Sequence, residues 1–397
     1  MMRGSSQARH WLAAAALLPL LAGCSSFSMS SLNPMNWFGA TSHIKPTELT
    51  EIKPSLTLAR GWSATVGGAG VYMFTPALVG NMVYAAGADG TLAAFDAQSG
   101  AQRWRVQADR AGLSAGVGAS EELIVVATVK GEVLAFDDKG REKWRTQVSS
   151  EVLAAPLVID NEVLVRSNDN RIFAFAAADG KRLWVYQRTA PALVLRNAGG
   201  MVGSLGQAYV GFAGGKMVAL GLSNGSVRWE ATVALPRGAT ELERIADISS
   251  SPVLNGREIC AVAFQGRAAC FEAGNGQSIW TRDISSAAGL SVDARYMFVT
   301  DEKSAVVALT RGTGASLWKQ DKLLYRALGA PLSVGRAVMV ADYQGILHAL
   351  GRDDGALIGR QPTDGSAIVA PPQLLSVGGK DGFIVQTQKG GLFVFTL

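Results

Sequence analysis

The stretch Ala94-Phe95-Asp96-Ala97-Gln98-Ser99-Gly100-Ala101-Gln102-Arg103-Trp104 decides the fold, because its ending returns along the chain. Gly-x-x-x-Trp recurs as Gly140 to Trp144, Gly180 to Trp184, Gly225 to Trp229, Gly276 to Trp280 and Gly314 to Trp318. Successive tryptophans stand 40, 40, 45, 51 and 38 residues apart. That period fits a propeller blade of four short strands and is too long for a leucine-rich or ankyrin unit.

Working outward from the first copy, TPALVG (75–80), MVYAA (82–86), TLAAF (91–95) and AQRWRV (101–106) read as four strands. Asp89-Gly90 supplies the hairpin turn between the second and third, since Asp-Gly readily reaches positive φ. The cycle repeats as AAPLVI, EVLVRS, RIFAFA and KRLWVY between 154 and 186. No segment carries convincing helical periodicity, so the fold class is all-β, a propeller of four-stranded antiparallel blades.

The two imperfect ends fix the number of blades. The seventh copy, QGILHALGRDDGALIG (344–359), has Gly359 where tryptophan would stand. The eighth stops at Leu397 before any fourth strand, and LTLARGWSAT (56–65), with Trp62, precedes the first complete blade. The reading is therefore an eight-bladed propeller over 56–397, its last blade closed by the N-terminal strand. Trp62, Trp104, Trp144, Trp184, Trp229, Trp280 and Trp318 are expected to dock blade against blade, each ring burying about 150–250 Å². The glycine before each would turn the chain outward.

Residues 1–23 read as a leader rather than as fold. Arg3, Arg9 and His10 begin it, and an apolar run of about fourteen residues follows, short of the ~20 that a membrane span needs. Leu21-Ala22-Gly23-Cys24 resembles the lipobox of bacterial lipoproteins, which implies lipidation at Cys24. The competing reading is an ordinary secretory signal with an incidental cysteine. Several acyl chains, at ~0.8 kcal/mol per buried CH₂, would hold the protein stably on a membrane. Ser25 after the cysteine resembles the pattern that sorts lipoproteins to the outer membrane. Residues 24–55, rich in Ser, Thr, Asn and Pro, read as a flexible tether. Losing Arg3 and Arg9 with the leader lowers the formal charge of +5 by two. With no block of five like charges, nucleic-acid binding is not indicated.

Candidate chemistry is sparse. Beyond Cys24 only Cys260 and Cys270 remain, flanking a turn at Gln265-Gly266. A two-residue turn would set Cys260 against Phe271 and separate the thiols, whereas a three-residue loop would bring them together. His43 falls in the tether. His348 alternates with Ile346 and Leu350 and reads as a packed strand residue. No His/Cys/carboxylate cluster has metal-ligand spacing. Gly112-Leu113-Ser114-Ala115-Gly116 matches the G-x-S-x-G pattern but precedes no helix and has no partnering histidine. Gly67-Gly68-Ala69-Gly70 opens no helix, so it implies turns rather than a phosphate cradle.

The repeat resembles the PQQ-like β-propeller repeat, with 94–104 closest to the form Ala-x-Asp-x-x-x-Gly-x-x-x-Trp. That likeness raises a quinoprotein dehydrogenase, using pyrroloquinoline quinone and calcium, as the enzymatic alternative. The adjacent Cys-Cys pair that stacks on the cofactor in many such enzymes is missing here, and no cofactor is expected.

Lipobox, tether and eight PQQ-like repeats together resemble the BamB family, lipoproteins of the outer-membrane β-barrel assembly (BAM) machinery. The resemblance implies a non-catalytic scaffold, lipid-anchored in the outer membrane and facing the periplasm, which assists folding and insertion of β-barrel proteins. Its implied partners are a periplasmic POTRA domain of BamA, other BAM subunits and unfolded outer-membrane protein strands. Pro191 to Arg196 resembles the family's Leu-x-Leu-Arg segment, and Glu243 to Ser249 its Arg-Leu-x-Asp-x-Asp segment. Carried across, Leu193, Leu195, Arg196 and Asp247 are the candidate BamA contacts, and Ser249 stands where the family has a second Asp. Both segments lie where the repeat lengthens to 45 and 51, in loops that a rigid scaffold would present. The competing reading has the leucines filling space under a loop and Asp247 pairing internally with Arg196 or Arg244.

Overall fold

The computed structural model describes residues 45–196, 199–204 and 206–397. The leader, Cys24 and His43 lie outside the described residues. Among those described, the chain forms eight four-stranded antiparallel sheets and no helix. Blade 1 is Ala77–Val79, Met82–Ala86, Thr91–Asp96 and Gln102–Gln107, hydrogen-bonded in that order. Blades 2 to 7 repeat it. Blade 8 takes Gln373–Val377, Lys380–Gln386 and Gly391–Thr396 from the C-terminus and Ala59–Thr65 from the N-terminus. Ala59 pairs with Thr396 and Thr65 with Gly391, so the first and last strands close one sheet.

Eight apolar clusters hold the ring, one per junction. Val83, Ala85 and Phe95 of blade 1, for example, pack with Ile384, Leu392 and Val394 of blade 8. The middle two strands of each blade are buried on both faces, which explains their near-continuous apolar runs. The fourth strand alternates exposed and covered residues, as a half-buried edge strand does.

The tryptophans explain the repeat. Trp62 Nε1 donates to Ala97 O at 2.8 Å, across the junction between blades 8 and 1. Trp104, Trp144, Trp184, Trp229, Trp280 and Trp318 donate in the same way to Asp138, Ala177, Leu222, Ala273, Arg311 and Arg352. Each ring also lies against the repeat glycine of the following blade. A Cβ on Gly100 would sit 2.6 Å from Trp62, and one on Gly276 2.6 Å from Trp229. These glycines have positive φ as well, 72° and 73°. The position therefore needs glycine twice, for its backbone and for its neighbour's ring.

The junction between blades 7 and 8 has no tryptophan, and the N-terminal strap fills the gap. Ser55 and Leu56 N–H both donate to Ile358 O at 2.9 Å. Leu56 and Leu58 are buried among Val334, Leu347, Phe383 and Phe395. A Cβ on Gly359 would stand 2.8 Å from Leu56 O, so the glycine there makes room for the strap. Upstream, Arg326 Nη1 donates to Thr47 O, Arg360 Nη1 to Thr50 O and Arg336 Nη2 to Ser55 O. The last eleven residues of the segment read as tether are thus hydrogen-bonded to the propeller rather than hanging from it.

Two local expectations change. The turn at Asp89-Gly90 belongs to a three-residue loop, Ala88 to Gly90, closed by Gly87 N to Thr91 O, with Gly90 at φ 89°. Blade 5 has the same loop length, from Phe264 to Gly266, which sets Cys260 opposite Cys270. The two form a disulfide buried at 1% and 0% exposure.

Candidate functional site

Each blade is joined to the next by a link from its fourth strand to the following first strand. The links share one face of the ring with the loops between second and third strands, called here the link face. Leu193 to Arg196 lie in the link 188–200 into blade 4, and Asp247 in the link 233–252 into blade 5. The structure brings all four candidate residues to this face.

They do not point the same way. Leu193 is 47% and Val194 41% exposed, while Leu195 is partly covered. Asp247 is only 4% exposed. Its carboxylate accepts from Leu195 N–H at 2.7 Å and Gly214 N–H at 3.1 Å, and its own carbonyl accepts from Phe264 N–H. Asp247 therefore pairs internally, with backbone amides rather than with the arginines that were weighed as partners. Ser249 is also buried, and its hydroxyl lies 3.5 Å from Ala287 O.

Arg196 forms a two-pronged pair with Glu151 of the link into blade 3. Nη2 donates to Oε2 at 2.8 Å and Nε to Oε1 at 3.2 Å. Donating these hydrogen bonds to the Glu151 carboxylate pushes the Arg196 pKa up, and nearby Tyr72 adds to that. Asn168 Nδ2 steadies the same carboxylate at 3.0 Å. Arg196 stays 55% exposed, so it carries a fixed, half-open cation beside the two exposed apolar side chains.

The link into blade 5 presents further apolar surface that sequence reading passed over. Leu235 is 60% and Leu242 66% exposed. Leu242 rides on a capped turn: Glu243 Oε2 accepts from Ala239 and Thr240 N–H, and Thr240 Oγ1 from Glu243 N–H. The signal was present in Thr240-Glu241-Leu242-Glu243, which has capping-box spacing. Gln265, with its amide nitrogen toward the link, donates to Ile245 O and Glu243 O.

The other motifs are structural. Ser114 of the G-x-S-x-G match is fully buried, its hydroxyl donating to Val152 O at 2.7 Å. His348 is fully buried and its Nε2 lies 3.1 Å from Asp342 Oδ2. Arg360 Nε donates to His348 Nδ1, which leaves the proton on Nε2. Burial pushes the His348 pKa down. Burial opposes the charge of Asp342 too, but bonds from His348, Ile346 N–H and Arg326 outweigh it and hold that pKa below the usual carboxylate value. Among the described residues no group of three His, Cys, Asp or Glu side chains could hold a metal.

Fold and site together define a β-propeller of PQQ-like repeats that presents a partly apolar, partly cationic loop surface on its link face. A family model described as outer membrane protein assembly factor BamB matches residues 59–114 and 88–320. The outer membrane protein assembly factor BamB of Bordetella pertussis is 43% identical over 395 residues, 99% of this chain and 98% of that protein. The crystal structure of BamB from Moraxella catarrhalis superposes with a TM-score of 0.76 at 24% identity, covering 86% of this chain and all of that one. The quinohemoprotein alcohol dehydrogenase from Comamonas testosteroni shares the fold alone, with a TM-score of 0.69 at 15% identity over 85% of this chain and 76% of its own. The chain belongs to the BamB family of outer membrane protein assembly factors.

Proposed function

We propose that this protein is a non-catalytic scaffold of the outer-membrane assembly complex, associated with the outer membrane through a lipidated Cys24. It binds a periplasmic POTRA domain of BamA through the link face. The near full-length match to an assembly factor carries the reading. The exposure of Leu193 and Val194 beside Arg196 supports the site. A pre-oriented guanidinium is the kind of group that dominates a protein interface, and the apolar pair beside it would help to exclude water from that contact. Asp247 contributes from beneath by fixing the Leu195 backbone rather than by touching the partner.

Co-purification of BamA from membranes tests the site. The wild type is expected to retain BamA and a Leu195→Glu, Arg196→Ala variant to lose most of it. Full recovery of BamA by that variant, folded as judged by its near-ultraviolet spectrum, would sink the assignment.

A further inference from the structure

Arg166 lies on the second strand of blade 3, Glu162–Ser167, and is 6% exposed. Its Nη1 donates to two carbonyls across the junction, Gly211 O at 2.7 Å and Gly199 O at 3.1 Å. The guanidinium also sits 5.1 Å from the centre of the Phe212 ring. Gly199 belongs to the link that bears Leu193 to Arg196, and Gly211 leads into the loop that contains Gly214.

Asp247 grips the same two segments by their opposite groups, the N–H of Leu195 and the N–H of Gly214. One buried cation thus holds carbonyls and one buried anion holds amides, in the same link and the same hairpin. Burial pushes the Arg166 pKa down to about 10 and the nearby Asp247 charge opposes that, so the arginine stays charged at neutral pH. Arg166 and Asp247 both line a small, partly open cavity of about 20 Å³, with Ser167, Asn168 and Asn170 on its polar side and Val194 and Leu195 on its apolar side. A single water needs about 10–15 Å³ and two to four polar partners. Arginine carries five N–H donors, and only Nη1 serves the two carbonyls.

We propose that Arg166 and Asp247 are positioning residues that set the conformation of the Leu193–Arg196 link, and through it partner affinity, with one ordered water bridging guanidinium and carboxylate in the cavity. The affinity half rests on the function proposed above; the conformational half does not. Loss of either charge leaves the other buried without its counter-charge and the link held from one side only.

Hydrogen–deuterium exchange on the full chain, alongside BamA capture, tests this. In Arg166→Met the amides of Leu195 and Gly214 are expected to exchange at least tenfold faster, and BamA affinity to fall at least tenfold. Amides of blade 1 should keep wild-type protection. Arg166→Lys keeps the charge without the fork and should recover part of the protection. Should Arg166→Met not fold, the double variant Arg166→Met, Asp247→Asn leaves neither charge and should show the same faster exchange. Wild-type exchange at Leu195 and Gly214 in whichever variant folds overturns the proposal, whatever happens to capture. Faster exchange with undiminished capture keeps the positioning role and overturns the partner reading of the link. A crystal structure should show one water within hydrogen-bonding reach of both side chains, and a dry cavity there overturns that part.

Discussion

At the rim, Trp229 does what Trp184 and Trp280 do on either side of it: the ring covers the next blade's glycine and the N–H meets the next blade's carbonyl. On the link face, the connection 233–252 has no counterpart of its length elsewhere in the ring. It turns Asp247 inward and Leu242 outward within six residues. The rim is therefore fixed by one solution applied seven times, and the link face by local solutions that differ from blade to blade. Repetition marks what the ring needs to stay closed. Departure from it marks surface free to be shaped for something else.

The comparison breaks most directly if a rim residue is removed. Trp229→Ala deletes a ring 8% exposed together with its bond to Ala273 O, and is expected to cost roughly 3–5 kcal/mol in denaturant unfolding. The folded fraction should still capture BamA as the wild type does. Gly276→Ala attacks the same junction from the other side. The added methyl would sit 2.6 Å from Trp229 on a backbone at φ 73°, for an expected loss of about 1–3 kcal/mol from crowding on top of the backbone cost. Gly365→Ala is the control, since φ is 80° there but nothing lies within 4 Å. It should lose only the backbone contribution, ~1–2 kcal/mol.

The face of blade 7 that meets blade 6 should respond to acid. His348 is buried with its pKa below 6.5, so the unfolded chain binds its proton more readily than the folded chain. Stability from keeping it neutral is complete above pH 6.5 and is lost as the pH falls toward the folded value, by up to about 1.4 kcal/mol per pH unit. Asp342, with its pKa also depressed, adds a second loss at still lower pH. The guanidinium groups of Arg360 and Arg326 face the same pair and discourage a third cation there. In His348→Gln, stability measured between pH 7 and 5 should run flatter than in the wild type.

How much of this was legible in the sequence follows from the same contrast. The blades were readable because Gly-x-x-x-Trp and alternating strands impose the same local chemistry each time. The strap was not, because Gly359 signals only a missing ring and nothing near it says that Leu56, some 300 residues away, fills the space. The Cys260–Cys270 pairing turned on one residue of loop length; Gln265-Gly266 suggested two, and the ring uses three. Asp247 was found as a candidate, but a carboxylate in a loop looks the same facing in or out. Its direction depends on which amides the neighbouring blade leaves open.

The smallest expected effect on stability is the one that sharpens the comparison furthest. Leu193 is 47% exposed and packs into no apolar cluster, so Leu193→Ser should change unfolding free energy by no more than about 0.5 kcal/mol. As an interface anchor it should weaken BamA binding by about 1–2 kcal/mol, or five- to thirty-fold, in titration of the purified proteins. Trp229→Ala should show the reverse, a large loss of stability with the affinity of the folded protein intact. If Leu193→Ser instead lowered stability and left affinity alone, the link would belong with the rim as part of the ring's own packing. The division of labour between the repeating and irregular parts would then fail where it was argued most specifically.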